Sequence, residues 1–122
     1  MNIEEARDYC LRKPFATEDL PFGDDYLVFR VGGKIFAGLP LSQNSLLVLK
    51  CSAETFDEVT AEHLSIEQAW HWHKRLWMQV HLDGSDVSDT LVLRLADMAY
   101  DLVFAKLPKR IREQLNPNRS LE

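Results

Sequence analysis

Gly32-Gly33 sits between two β-rich runs, Tyr26-Leu27-Val28-Phe29-Arg30-Val31 and Lys34-Ile35-Phe36-Ala37-Gly38-Leu39, and this arrangement constrains the fold more than any other stretch of the chain. A two-residue hairpin turn that matches the twist of its flanking strands needs positive φ at both central positions, which glycine adopts without steric cost. The two runs are therefore read as antiparallel neighbours. A third run, Leu46-Leu47-Val48-Leu49-Lys50-Cys51, is apolar at successive rather than alternate positions, which predicts a central strand covered by a helix. Pro40 and the polar Ser42-Gln43-Asn44 mark the turn before it.

Helical signals bracket this sheet. Asn2 and Glu5 have the spacing of a capping box, and Ile3, Ala6 and Cys10 recur at helical intervals until Pro14, predicting a helix over about 3–12. An acidic loop follows over 15–25, with Glu18, Asp19, Asp24 and Asp25 around Pro21-Phe22-Gly23. Ser52 caps a second helix, with Glu54 in its first turn and Phe56, Val59 and His63 on one face, ending near His63. Residues 66–77 are ambiguous between strand and irregular structure, whereas 78–82 alternate as a strand before the Asp83-Gly84 turn. The longest helix spans about 87–106. Leu91, Leu95, Met98, Leu102 and Ala105 form one apolar line on it and Leu93, Ala96, Tyr100 and Phe104 a second. Only a narrow polar stripe of Thr90, Arg94, Asp97 and Asp101 remains, so cover on most sides is expected. Pro108 opens a short terminal helix through Leu115, and Asn116-Pro117-Asn118 ends it.

The order is α-β-β-β-α-β-β-α with a short C-terminal helix. It predicts an α+β fold in two layers, an antiparallel sheet of about five strands with helices on one face. Residues 1–115 form one domain and 116–122 a tail, whose Leu121-Glu122 has the look of an expression-vector remnant. A chain of 122 residues buries about two-thirds of its unfolded surface, enough for one core. No apolar run approaches the roughly 20 residues that span a bilayer, and Glu4 and Glu5 stand where a secretory signal would be positive. A cytoplasmic location and no membrane association are the expectations. Cys10 and Cys51 are read as reduced, buried thiols.

Charge limits the function classes. The net charge of −5 divides into 9 basic and 17 acidic side chains over residues 1–105 and 5 basic and 2 acidic over 106–122, so only the C-terminal end is locally basic. Phosphate neutralisation drives non-specific DNA binding, and an acidic body opposes it unless basic groups converge on one face.

Several segments, in order and at matching spacing, resemble the MmcQ/YjbR family of small bacterial proteins. They are Tyr9-Cys10-Leu11, Thr17-Glu18-Asp19-Leu20-Pro21-Phe22-Gly23, Leu27 to Lys34, Leu49-Lys50-Cys51, His71 to Trp77, Leu82-Asp83-Gly84-Ser85 and Tyr100 to Pro108. At Trp70, Trp72 and His73 the chain departs from the tyrosine, methionine and asparagine of that pattern. The resemblance implies a fold similar to secretion chaperones and DNA binding without enzymatic activity. The alternative is a protein-interaction or chaperone-like module, in either case a monomer or weak homodimer.

The segment Trp70-His71-Trp72-His73-Lys74-Arg75-Leu76-Trp77 holds every tryptophan of the chain. Its indoles suit base stacking or core packing, and core packing is the expectation. His71 and His73, on one face of a strand, have spacing that permits a metal but lack a supporting motif, so a hydrogen-bonded structural His71 is preferred. Asp19, Asp24 and Asp25 lack the ligand spacing of a calcium loop and are read as solvated. With no nucleophile elbow, P-loop or dinucleotide fingerprint, no catalytic residue, cofactor or metal is assigned. An enzymatic reading would require a pocket holding His71, His73 and a carboxylate. For nucleic acid the candidates are Arg30 and Lys34 beside the hairpin turn, Lys74 and Arg75 in the tryptophan segment, and Lys109, Arg110 and Arg112 on the terminal helix. If they converge they grip phosphates while the hairpin enters a groove as a wing; dispersal as solubilising charge is the expectation.

Overall fold

The computed structural model describes residues 1–43 and 45–115. The proposed terminal tail and the Asn116-Pro117-Asn118 helix stop lie outside the described residues. Ten elements follow in order: α1 (Ile3–Leu11), β1 (Thr17–Asp19), β2 (Tyr26–Val31), β3 (Lys34–Pro40), β4 (Leu46–Lys50), α2 (Ala53–Glu62), β5 (Ile66–Gln68), β6 (Trp77–His81), α3 (Asp89–Lys106) and α4 (Lys109–Leu115). The class is α+β, with one antiparallel sheet in the order β1-β2-β3-β4-β6-β5.

Local chemistry accounts for most element ends. Asn2 accepts the backbone N–H of Glu5 at 2.8 Å and Glu5 accepts that of Asn2 at 3.2 Å, completing the capping box of α1. Ser52 and Ser88 accept the N–H groups of Thr55 and Leu91 in the same manner. Gly32 and Gly33 take φ of 56° and 81°, joining β2 to β3 in the predicted hairpin. A strand absent from the sequence reading, β1, adds a sixth to the sheet. Its three residues pair with 28–30 of β2, and Glu18 and Asp19 are tied by Arg7 and Arg30.

One face of the sheet carries the core. Phe29, Val31, Phe36, Leu39, Leu47, Leu49, Met78 and Val80 pack beneath α1 and α3, and Phe56, Val59 and Ile111 close the rim. The buried residues of α3 are Val92, Leu95, Ala96, Ala99, Tyr100, Val103 and Phe104, a single stripe at helical spacing. Cover on most sides of this helix is therefore corrected: it is buried where it packs on the sheet, and among the described residues Met98 and Ala105 face water.

Among the described residues no helix packs on the opposite face. Instead the connection between β5 and β6 leaves the sheet edge and returns across it, packing Ala69, Trp72 and Leu76 over Ile35, Val48 and Trp77. The apolar character of both faces of β4 thus has two causes, helices on one side and this connection on the other. Within the connection His71 and Arg75 hold φ of 72° and 65°, a left-handed conformation costing roughly 1–2 kcal/mol per non-glycine residue. No helix among the described residues is long and apolar enough to cross a membrane.

Candidate functional site

Antiparallel pairing brings the C-terminal ends of β2 and β4 and the N-terminal ends of β3 and β6 to one end of the sheet. Arg30, Lys34 and Lys50 therefore meet there, and the C-terminal end of α3 adds Lys106. Lys34, Lys50 and Lys106 line one depression of about 180 Å³ with Val103 and Leu107. Burial, and then the neighbouring Lys106, push the Lys50 ammonium below its ordinary value. The Lys50 Nζ also lies 5.3 Å from the centre of the Trp77 ring, a distance at which the ring face attracts a cation.

The terminal helix joins this end through a close packing contact. A Cβ at Gly32 would fall 2.7 Å from Leu107 Cδ1 and 3.3 Å from Ile111 Cγ2, so only glycine lets α4 seat against the hairpin. Lys109, Arg110 and Arg112 belong to the helix whose Ile111 makes this contact. The segment bearing Lys74 and Arg75 arrives from the other side, where the Cys51 N–H donates to the Leu76 carbonyl at 3.0 Å and the Cys51 thiol to the Arg75 carbonyl at 3.7 Å.

Strand direction thus brings Arg30 and Lys34 to the sheet end that also carries Lys50, while Lys74 and Arg75 lie in the connection before β6 and Lys109, Arg110 and Arg112 on α4. They are not equally available. Arg30 donates to Asp19 at 2.9 Å and to the Gly33 carbonyl at 3.0 Å, Arg75 donates to Asp57 at 2.7 Å, and Lys109 lies 3.8 Å from Glu113. Among the described residues no acid pairs with Lys34, Lys50, Lys74, Lys106 or Arg110. Sequence reasoning missed Lys50 and Lys106. The signal was there, since each closes an apolar run whose far end the hairpin would have to meet.

The second concave region lies on the face without helices. Phe22, Tyr26, Trp70, His71 and Trp72 line a depression of about 360 Å³. The Trp72 indole N–H donates to the Tyr26 hydroxyl at 3.0 Å, and the Phe22 ring stands edge-on to both Tyr26 and Trp72, at 82° and 78°. An adjoining depression of about 410 Å³ shares Tyr26, Trp70 and His71 and reaches Glu67 and His81. Hydrogen bonds from His81 and then Gln79 hold the Glu67 carboxyl below its ordinary range.

Core packing holds for Trp77, which is 9% exposed, but Trp72 is half-buried and Trp70 is 67% exposed. Trp70 is the correction: it lies beyond the end of β5, outside the strand pairing, and immediately precedes the left-handed His71. His71 is exposed and its ring has no hydrogen bond among the described residues, so it is not the structural histidine expected. His71 and His73 lie in the connection rather than on a strand, and His73 does not line either depression. Among the described residues no cluster of three His, Cys, Asp or Glu side chains is placed to hold a metal. Cys10 and Cys51 are free and buried, with burial pushing the thiols up to about 12 and about 11.

The profile of the YjbR family matches residues 11–102. The chain belongs to the YjbR family. Its relatives include an uncharacterized protein, YbdF of Escherichia coli O157:H7, 28% identical over 116 residues and covering 93% of each chain. A crystal structure of the Deinococcus radiodurans protein DR2400, domain DUF419, superposes with a TM-score of 0.83 at 32% identity, over 93% of this chain and 86% of that one. A Pseudomonas syringae crystal structure matches with a TM-score of 0.70 at 24% identity over 84% and 98% of the two chains, and shares the fold. The match to the YjbR family runs from the end of α1 into α3 and so includes the hairpin, Lys50 and the tryptophan connection.

Proposed function

We propose that this YjbR-family protein is a cytoplasmic, non-enzymatic DNA-binding protein that holds phosphates at the basic end of its sheet. The observation that carries the reading is the depression shared by Lys34, Lys50 and Lys106, with no acid pairing with any of the three among the described residues. An ammonium whose charge is already disfavoured by burial and by a second lysine, as Lys50 is, gains when an anion enters. Lys74 and Arg110 are further exposed cations with no acidic partner among the described residues, while the acidic remainder of the chain opposes phosphate binding elsewhere.

Fluorescence anisotropy with short duplex and single-stranded DNA across a salt series tests this. Binding in the micromolar range should weaken with salt, with a log–log slope of about −3 for three phosphates neutralised on duplex. Lys34→Glu/Lys106→Glu should abolish it, and the charge-matched Arg12→Glu/Arg94→Glu should retain most of it. Absence of binding at low salt would discard DNA as the partner. A second reading, a protein-interaction module acting as monomer or weak homodimer, is favoured by Phe22 and Trp70, which keep 61% and 67% of their surface in water on one face. Sedimentation velocity across protein concentration tests its self-association branch.

A further inference from the structure

We propose that the ring-lined depression on the uncovered sheet face binds an alkylated ammonium cation, the chemistry of a choline-type headgroup or a methylated lysine side chain. Each of its five lining residues, Phe22, Tyr26, Trp70, His71 and Trp72, carries a ring. Phe22 stands at 82° to Tyr26 and 78° to Trp72, and Tyr26 and Trp72 are tilted by 44° to each other, so the three rings form walls of different orientation and no parallel stack, with Trp72 backed by Trp77 at 4.3 Å. A cation near several ring faces is attracted by each quadrupole, and an alkylated cation also buries methyl groups against them. The Tyr26 to Trp72 hydrogen bond fixes two of the walls.

Charge decides between ligands. Neither this depression nor the adjoining one is lined by a lysine or arginine, so a phosphate or carboxylate ligand would find no counter-charge. The one acidic lining group is the Glu67 carboxylate, kept ionised by His81 and Gln79 and reached through the adjoining depression that shares Tyr26, Trp70 and His71. Aromatic faces with a single anion nearby form a site for an organic cation. The depression shares no lining residue with the one at the basic sheet end, and its ligand does not depend on DNA binding.

Choline and its neutral isostere 3,3-dimethyl-1-butanol are titrated into the full chain at pH 8 and constant ionic strength, with the indole N–H signals of the three tryptophans followed by NMR. Choline should shift the Trp70 and Trp72 signals saturably, with a smaller shift relayed to Trp77 through its contact with Trp72 and the isostere at least about tenfold weaker. Trp70→Ala, at an exposed position where folding is not at stake, should weaken choline about tenfold, and Glu67→Gln about threefold. A short peptide bearing trimethyllysine separates the sources: tighter binding than choline assigns the cation to a protein side chain, and weaker binding to a free small molecule. Equal response to the isostere would overturn the proposal by making the depression merely apolar. No shift at 50 mM choline would overturn it outright.

Discussion

The two faces of the sheet are built from alternate residues of the same strands yet are finished differently. Toward the helices, Phe36, Leu47, Leu49, Met78 and Val80 meet α3 in close aliphatic and aromatic packing, with Tyr100 edge-on to Phe36 at 5.3 Å. On the other side, Val48 and Trp77 lie under a short irregular connection, and beyond it Tyr26, Gln79 and His81 border open depressions. The lesson is that stability and recognition are divided by strand alternation. A residue's parity along β4 or β6 decides which task it serves.

The largest test of this division is a pair of truncations. Phe36→Ala should cost about 3–5 kcal/mol in urea denaturation, whereas Trp70→Ala should stay within about 0.5 kcal/mol. A comparable loss at Trp70 would break the comparison. Gly32→Val comes next, by about 2 kcal/mol or more, because a β-branched side chain at φ 56° would also strike Leu107. Its circular dichroism melt should fall, and suppressing the fall with Leu107→Ala would trace it to that contact. Tyr26→Phe removes the acceptor of the Trp72 indole and should cost about 1 kcal/mol, read from the denaturation midpoint.

The smallest effect is electrostatic and sharpens the picture at the edges. Arg7 holds Glu18 low by hydrogen bonding, and His81 and Gln79 do the same for Glu67. Burial would raise Asp97, but hydrogen bonds from Lys13 and Tyr9 bring it below its ordinary value. All three folded-state values lie under the unfolded ones, so their stabilisation is present above about pH 4.5 and is lost as pH falls through the folded values. Urea midpoints should hold from pH 7 to 5 and decline below 4. The decline should be modest, because these carboxylates face solvent.

Features set by local chemistry were legible in the sequence. The Gly32-Gly33 hairpin, the Asn2 and Glu5 capping box and the Ser52 cap each depend on residues within four positions of one another, whereas the Ser88 cap is absent from the sequence reading and the long helix begins at Asp89, two residues later than the apolar pattern implies. The strand β1 was not legible, since Thr17-Glu18-Asp19 has no apolar alternation and owes its conformation to pairing with β2 and to arginines from α1 and β2. The path of residues 69–76 is tertiary, and left-handed backbone at His71 and Arg75 has no compositional signal. The seven predicted basic residues, Arg30, Lys34, Lys74, Arg75, Lys109, Arg110 and Arg112, could be named, but which of them share a sheet end depends on strand direction. The pairings of Arg30 with Asp19 and Arg75 with Asp57 join separate elements, whereas that of Lys109 with Glu113 is an i,i+4 pair within α4.

The two outermost strands, β1 and β5, are only three residues long, and both carry acidic side chains, Glu18 and Asp19 on one and Glu67 on the other. Short charged borders offer poor templates for another chain to extend the sheet, so growth into fibrils is discouraged at both margins. A molecule so protected can keep indole and phenyl rings in water on its broad side. Any pairing through that side is self-limiting, because a twofold contact between two such surfaces uses them up and leaves nothing to propagate.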